Sequence, residues 1–261
     1  MHIVITNDDG IGAPGIHALA KAARKLGKVT VIAPDRNWSV CGHMKSIGRP
    51  LRVDPYDFPE ADAAWVTDGS PSDCSALAGL GFLDEKVDIL LSGINPTPNL
   101  SQDFTYSGTV MATAEASFWG LPAAAFSIDC PRMDPKNIDF SPAVWVLPRV
   151  VSFLAENALP KYSFLNVNCP NLPVEKIKGI RVTRSGVRIY NDILVRKTDP
   201  FGRSYYWFGG DAPESMDVDG TDGTMMKEGF VSITPIQQDL TDYGMLETMK
   251  DHKWESESDH E

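Results

Sequence analysis

Residues 2–15 read HIVITNDDGIGAPG, an apolar run followed closely by two aspartates. The run over residues 3–5 indicates a buried strand, and Asp8 and Asp9 follow it after two polar residues. Adjacent carboxylates that leave a buried strand are unfavourable unless a cation lies between them. The next glycines leave the loop free to fold around a ligand: Gly10, Gly12 and Gly15. A simple turn is the alternative, but the position after a strand favours a cation-binding loop.

Strand and helix signals alternate from this stretch through the first two thirds of the chain. Apolar patterns predict strands over 2–6, 28–34, 63–69, 87–95, 122–128 and 163–170. Helices are predicted over 15–26, from an N-cap at Ser70, from about Thr109 to Gly120, and over 141–157. Such alternation is typical of an α/β fold with a mostly parallel sheet and helices on both faces. We therefore expect a Rossmann-like, three-layer core.

The sequence changes after about residue 178, where short β-rich segments replace the alternation. These segments predict hairpins, and a last short helix is expected over 241–253. We predict a metal- and phosphate-binding α/β core over residues 1–180. A β-hairpin and C-terminal arm is predicted over residues 181–261, as part of the same domain. The aromatic run at 205–208 is expected to be buried, and its exposure would indicate a subunit contact instead.

The chain has a net charge of −11 and a pI near 4.9. This charge disfavours a nucleic-acid polymer as partner, because binding its phosphates requires a basic stripe. No apolar run reaches the roughly 18 residues of a membrane span, and the first residues show a strand signal rather than a secretory signal. We expect a cytoplasmic protein that binds neither membranes nor nucleic acids.

Oxygen-bearing side chains follow three of the predicted strands. Asp8 and Asp9 follow the first strand, Ser39 lies after the second, and Asn95 and Asn99 end or follow a later one. Ligands of open parallel sheets bind at the carboxyl ends of the strands, so these side chains are expected to lie together. Carboxylate, hydroxyl and amide oxygens favour magnesium or manganese, and calcium less, over zinc. The four cysteines form no Cys-x-x-Cys pair and do not indicate a zinc site.

The segment TYSGTV, residues 105–110, places small residues at the start of a predicted helix. Ser107, Gly108 and Thr109 would leave backbone N–H groups free there, which makes an anion site. An ordinary N-cap is the alternative, but a phosphate site is favoured beside a cation cluster. No Gly-x-Ser-x-Gly, P-loop or Gly-x-Gly-x-x-Gly pattern is present, which excludes esterase, P-loop and dinucleotide-binding functions.

Taken together, the motifs resemble those of the SurE survival-protein family of metal-dependent nucleotidases. The resemblance covers about residues 1–240 and rests on TNDDGIGAPG (6–15), VTVIAPDRNWS (29–39), VTDGSPSDC (66–74), SGINPTPNL (92–100), TYSGTV (105–110) and LNVNCP (165–170). Two positions depart from the family pattern. Val40 follows Ser39 at a position where members of the family usually carry glycine. Pro96-Thr97, followed by Pro98, occupies the positions after Asn95 where members commonly carry Arg-Gly.

The resemblance implies a SurE-like fold and hydrolysis of nucleoside 5′- and 3′-monophosphates, with polyphosphate as a further substrate in some members. It implies one divalent cation per subunit, and the metal ligands that it implies are Asp8, Asp9, Ser39 and Asn95. The phosphate-binding residues that it implies are Ser107, Gly108 and Thr109, and Asn99 lies nearby as a further candidate. It also implies homodimers or homotetramers that exchange C-terminal elements, so that the arm over residues 181–261 serves oligomerisation.

The mechanism that we predict is in-line attack of a metal-activated water on a phosphate monoester, with Asp8 and Asp9 as the catalytic pair. The sequence leaves open which of the two aspartates assists proton transfer. Two alternative functions are a non-catalytic oligomer that senses nucleotides or metal ions, and a metal-dependent sugar-nucleotide transferase. Metal-dependent phosphate release from plain monophosphates distinguishes the predicted function from both.

Overall fold

The computed structural model describes residues 1–130, 138–252 and 254. The strands are β1 (His2–Thr6), β2 (Lys28–Pro34), β3 (Val53–Pro55), β4 (Ala63–Thr67), β5 (Ile89–Asn95), β6 (Ala123–Ile128), β7 (Ser163–Cys169), β8 (Ile180–Val182), β9 (Arg188–Ile189), β10 (Asp192–Thr198), β11 (Ser204–Gly210), β12 (Glu214–Ser215) and β13 (Val231–Gln237). The α-helices are α1 (Pro14–Ala23), α2 (Pro71–Gly79), α3 (Gly108–Phe118), α4 (Ser141–Glu156), α5 (Asp222–Lys227) and α6 (Tyr243–Lys250). Two 3₁₀ helices cover Ser101–Thr105 and Val174–Lys176.

Nine strands form the main sheet, in the order β3-β4-β2-β1-β5-β6-β7-β13-β8. The six strands from β4 to β7 in this order run parallel, whereas β3 and β13 are antiparallel to their inner neighbours. The predicted mostly parallel α/β sheet is therefore confirmed. The chain leaves β1 in one direction to form β2 and β4, and then returns to the other side of β1 to form β5. This reversal creates a crevice between the ends of β1 and β5.

The sheet lies between two helical layers, as predicted. All five residues of β1 are buried, because both faces of the strand are covered by helices. Residues of α1 and α4 pack on one face of the sheet, and residues of α2 and α3 pack on the other. The carboxyl ends of β1 and β5 are thus held rigidly from both sides.

The predicted helix starts are confirmed within one or two residues, and one has its expected cap in full. The Ser70 hydroxyl accepts the Asp73 N–H at 3.1 Å, and the Asp73 carboxylate accepts the Ser70 N–H at 2.9 Å. These reciprocal bonds form a capping box ahead of Pro71, the first residue of α2. At the start of α1, a Cβ on Gly15 would lie only 2.0 Å from the Ile94 carbonyl oxygen. Glycine is required there because α1 packs directly against β5.

Beyond residue 180 the chain forms hairpins, and it also contributes β13 to the main sheet between β7 and β8. The division at residue 180 stays a prediction. The β10–β11 hairpin carries the aromatic run, whose side chains are 41–89% exposed in the single chain. The expected burial of Tyr205–Phe208 is therefore wrong for the single chain, and their exposure fits the alternative of a subunit contact. None of the helices within the described residues has the length and apolarity needed to cross a membrane.

Candidate active site

The crevice between the ends of β1 and β5 opens into a pocket of about 860 Å³. Five of the predicted site residues line it: Asp8, Ser39, Asn95, Asn99 and Ser107. The remaining wall is formed by Val40, Thr97, Pro98, Asp103, Tyr106, Tyr190, Asp192 and Phe208. Strand ends far apart in sequence therefore meet at this pocket, as the α/β topology predicts.

Asp8 is the most deeply buried carboxylate of this pocket, with 4% of its surface exposed. The Thr109 hydroxyl donates a hydrogen bond to Oδ1 of Asp8. The backbone carbonyl of Asp8 accepts the Trp38 N–H at 2.7 Å. Burial raises the pKa of Asp8, although hydrogen bonds from Thr109 and from nearby backbone N–H groups favour the charged form. A positive charge close to Asp8 would offset much of the free-energy cost of burying its charged carboxylate.

Asp9 has a different environment from Asp8. It is partly buried and lines a smaller neighbouring pocket of about 210 Å³, with Asn37 and Ile94 among the other lining residues. Burial and then the charge of Asp8 raise the pKa of Asp9 to about 7. Among the described residues, neither aspartate forms an ion pair with a Lys, Arg or His side chain. The two carboxylates therefore stand beside each other without a protein cation.

Ser39 and Val40 form the outer rim of the pocket and are both exposed. The Ser39 N–H donates to the Asn37 side chain at 2.6 Å. Val40 has φ = 62°, in the left-handed region that glycine adopts without strain. The departure from the family's usual glycine thus falls on a strained backbone position next to a predicted metal ligand.

Asn95 and Asn99 face the pocket from the end of β5 and the segment after it. The Asn95 side-chain N–H₂ donates to the Thr97 carbonyl at 2.6 Å and to its hydroxyl at 3.0 Å, which directs the amide oxygen away from Thr97. The Asn99 side chain donates to the Ser127 hydroxyl at 2.8 Å. Both side chains are therefore fixed through their nitrogen atoms, and their oxygen atoms stay available as acceptors.

Two asparagines that the sequence analysis gave no role hold Asn99 in place. The Asn99 carbonyl accepts hydrogen bonds from Asn166 at 2.7 Å and from Asn168 at 3.1 Å. The Asn99 N–H donates to Asn168 at 2.8 Å. Their signal in the sequence is the alternation Asn-Val-Asn on a buried strand, which places both amides on one face of β7.

The start of α3 reaches the pocket beside Asp8. The Ser107 hydroxyl accepts the Val110 N–H at 3.1 Å, so Ser107 is the N-cap of the helix. A Cβ on Gly108 would lie 2.8 Å from Asp8 Cβ and 2.8 Å from Cys41 Sγ, so only glycine allows this close approach. Thr109 is fully buried and its hydroxyl contacts Asp8. The structure thus gives the Thr109 side chain a contact with a predicted metal ligand. The phosphate contact predicted for the backbone N–H groups at this helix start stays a prediction.

A second group that the sequence analysis missed supports the outer wall of the pocket. Buried Asp222 accepts the Ser101 N–H at 2.6 Å, the Ser101 hydroxyl at 3.0 Å and the Gly186 N–H at 3.0 Å. Asp103, in the same 3₁₀ helix as Ser101, lies 2.9 Å from Arg188 Nε and accepts a hydrogen bond from the Tyr190 hydroxyl. These contacts join the segment after β5 to residues beyond 180, which therefore complete the pocket.

Glu115 lies farther along α3, with its side chain 3% exposed. It accepts hydrogen bonds from Lys45 at 2.6 Å, His43 at 2.9 Å and Trp119 at 2.8 Å. Burial alone would raise the pKa of Glu115, but these hydrogen bonds outweigh it and lower the pKa to about 2. The side chains of His43 and Lys45, in the loop after β2, are thereby fixed to α3, the helix that starts at the pocket.

We expect the protein to lose stability as the pH falls from about 4.5 towards 2, because the stabilising effect of charged Glu115 is lost in this range. The folded protein keeps Glu115 charged in this range, whereas the unfolded chain protonates it near 4.5. Charged Glu115 therefore contributes about 3 kcal/mol to the free energy of unfolding. This contribution is complete above pH 4.5 and is lost as Glu115 becomes protonated in the folded state. Urea unfolding at pH 5 and pH 2.5 should show a smaller loss of stability for Glu115→Gln than for the wild type. Glu156→Gln, which removes an exposed carboxylate, is the control and should keep the wild-type loss; an equal loss in Glu115→Gln contradicts the prediction.

A family profile, sequence relatives and a solved structure all relate this chain to SurE proteins. The sequence profile of the family described as "Survival protein SurE" matches residues 3–192. A protein of Chloroflexus aggregans named 5′-nucleotidase SurE is 43% identical over 98% of this chain and 100% of its own length. A protein of the same name from Geobacter metallireducens is 43% identical over 96% of each chain.

Solved structures agree with the sequence relatives. The crystal structure of the SurE protein from Aquifex aeolicus superposes with a TM-score of 0.81 and 39% sequence identity, over 96% of this chain and 98% of that one. Such identity over nearly the full length shows common ancestry as well as a common fold. The chain therefore belongs to the SurE family.

Proposed function

We propose that the chain is a 5′-nucleotidase that hydrolyses nucleoside 5′-monophosphates to nucleoside and phosphate, with one bound divalent cation. The enzyme class is supported by SurE relatives named 5′-nucleotidase that match 95–98% of the chain. The observation that carries the proposal is the position of Asp8. It is a buried carboxylate without a protein cation among the described residues, on the wall of a pocket large enough for a nucleotide.

The residues around Asp8 fit a hard divalent cation such as Mg²⁺ or Mn²⁺. Asp8, Asp9, Ser39 and Asn95 would hold it through carboxylate, hydroxyl and amide oxygens, which are the ligands that these ions prefer. Among the described residues there is no cluster of three or more His, Cys, Asp and Glu side chains suited to a metal. Neutral oxygen ligands would therefore complete the set. When bound, the cation supplies positive charge that polarises the phosphoryl group and makes water more acidic.

The protein's own groups would orient the phosphate and exclude solvent. Thr109 holds Asp8 in one orientation through its hydroxyl. The first N–H groups of α3, at Gly108 and Thr109, are proposed to bind phosphoryl oxygens together with the Ser107 and Asn99 side chains. Tyr106 and Phe208 also line the pocket, and their aromatic rings are proposed to cover the nucleoside.

The finer properties are proposals on separate grounds. Hydrolysis of 3′-monophosphates and of polyphosphate is proposed from the resemblance of the motifs to the family. A homodimer or homotetramer is proposed because the β10–β11 hairpin exposes its aromatic side chains in the single chain. The exchange of C-terminal elements is proposed from the resemblance to the family, and the cytoplasmic location stays a prediction. The acidic charge and the pocket favour a small nucleotide over a nucleic-acid polymer.

Phosphate release after metal removal tests the proposal. Chelator-treated protein should release no phosphate from AMP, and Mn²⁺ or Mg²⁺ should restore the reaction. A panel of 5′- and 3′-monophosphates, polyphosphate and a sugar nucleotide then defines the substrate. Nucleotide binding without phosphate release would indicate the sensor instead, and cleavage of the sugar nucleotide alone would indicate the transferase.

A further inference from the structure

The loop over residues 39–46, here called the Ser39 loop, links the pocket rim to the α2–α3 face of the sheet. Its first residue, Ser39, is exposed at the rim, and the hydrogen bond of its N–H goes to Asn37 within the same connection. On one side of Ser39 the chain is held by the Trp38 N–H, which donates to the Asp8 carbonyl at 2.7 Å. On the other side, the placement of Ser39 depends on what holds the loop farther along.

Backbone contacts hold the Ser39 loop at three points. The Gly42 N–H donates to the Tyr106 carbonyl at 2.9 Å. The Met44 carbonyl accepts the Ser70 hydroxyl at 2.5 Å, and the Ser46 N–H donates to the Asp73 carboxylate at 3.0 Å. These bonds attach the loop to the starts of α2 and α3.

The only side chains of the Ser39 loop that reach a buried charge, within the described part of the chain, are those of His43 and Lys45. Both contact the Glu115 carboxylate, one at each oxygen, at 2.9 and 2.6 Å. The His43 ring also stacks on Phe118, and the Lys45 ammonium lies over the Trp119 ring. Charge-assisted hydrogen bonds to a buried carboxylate are stronger than neutral ones, so these two bonds, with the one from Ser46 to Asp73, are the strongest attachments of the loop.

We infer that Glu115 is a positioning residue for the pocket: through His43 and Lys45 it fixes the Ser39 loop and thereby places Ser39 for cation binding. The inference rests on the proposed function, since it concerns the cation that the pocket would bind. Glu115 itself lies two turns along α3 from Ser107 and does not line the pocket. Its effect reaches the site through the loop, so it should change metal affinity more than the rate at saturating metal.

The test is Mn²⁺ binding to the whole, metal-free protein, measured by the electron paramagnetic resonance signal of free Mn²⁺. Lys45→Met, His43→Gln and Glu115→Gln should each bind Mn²⁺ about tenfold more weakly than the wild type. Their kcat on AMP at saturating Mn²⁺ should stay within about twofold of the wild type. His43 and Lys45 are partly exposed, so their variants keep the test valid where Glu115→Gln does not fold.

Trp119→Phe is the matched control. It removes a hydrogen bond to the same carboxylate but leaves both loop side chains on Glu115, and it keeps an aromatic ring beneath Lys45. Wild-type Mn²⁺ affinity in Trp119→Phe, with weaker binding in the loop variants, supports the inference. Equal affinity in all variants, or an equal loss in Trp119→Phe, overturns it and leaves the nucleotidase proposal intact. A wild-type protein that binds no Mn²⁺ overturns the metal-dependent function and this inference together.

Discussion

Asp8→Asn is expected to lower kcat/KM for AMP about a thousandfold or more, the loss typical of a group that organises charge in the transition state. The substitution keeps the shape of the side chain and leaves an oxygen to accept the Thr109 hydroxyl bond. It removes the negative charge that would hold the cation beside the phosphate. Phosphate release at several Mn²⁺ concentrations measures the effect, and excess Mn²⁺ should restore little of the lost activity.

The same substitution should leave the metal-free protein as stable as the wild type or more stable. Burial raises the pKa of Asp8, so at neutral pH its charge opposes folding unless a cation compensates it. Thermal unfolding in chelator should therefore show an equal or higher Tm for Asp8→Asn. Opposite changes in activity and stability are the mark of a residue kept for function.

Asp35→Asn is the control for Asp8→Asn. Asp35 is an exposed carboxylate just beyond β2, at the same edge of the sheet, and it does not line the pocket. It should retain activity within about twofold. Metal-dependent turnover that survives in Asp8→Asn would contradict the proposed role of Asp8.

The sequence predicted well those features that depend on neighbouring residues. The apolar run over residues 3–5 of β1 and the capping residues of α2 each depend on residues within a few positions of one another. Residues that follow different strands could also be predicted to lie close together, because a parallel sheet places the carboxyl ends of its strands at one edge. Asp8, Ser39 and Asn95 were predicted to lie together on this ground, and all three line one pocket.

The supports of the site could not be predicted in the same way. Asp222 contacts Ser101 across 121 positions, and Asn166 contacts Asn99 across 67. No local pattern reports such pairs, since they form only when the sheet is complete. The directions of side chains in irregular loops cannot be predicted from the sequence either. Asp8 and Asp9 are adjacent in sequence, yet they line different pockets. Their shared role as metal ligands accordingly stays a prediction.

Gly108→Ala should lower kcat/KM at least about a hundredfold and destabilise the protein by about 1–3 kcal/mol. The backbone of Gly108 is not in the left-handed region, and alanine favours helix formation, so neither conformation nor propensity opposes the change. The added Cβ would instead lie 2.8 Å from both Asp8 Cβ and Cys41 Sγ. Relief of the overlap with Asp8 must move either Asp8 or the start of α3. Asp8 lines the pocket, and the start of α3 carries the N–H groups proposed to bind phosphate.

Gly12→Ala is the matched control, because Gly12 lies in the loop after β1 and a Cβ there meets no atom within 4 Å. It should keep both activity and urea stability near wild-type values. Adding Cys41→Ala to Gly108→Ala removes one of the two close contacts, so the double variant should regain part of the lost stability in a double-mutant cycle. Activity should recover less, because the overlap with Asp8 persists. Full activity in Gly108→Ala would show that the start of α3 can move away from Asp8 without cost, and would remove the proposed phosphate role of these residues.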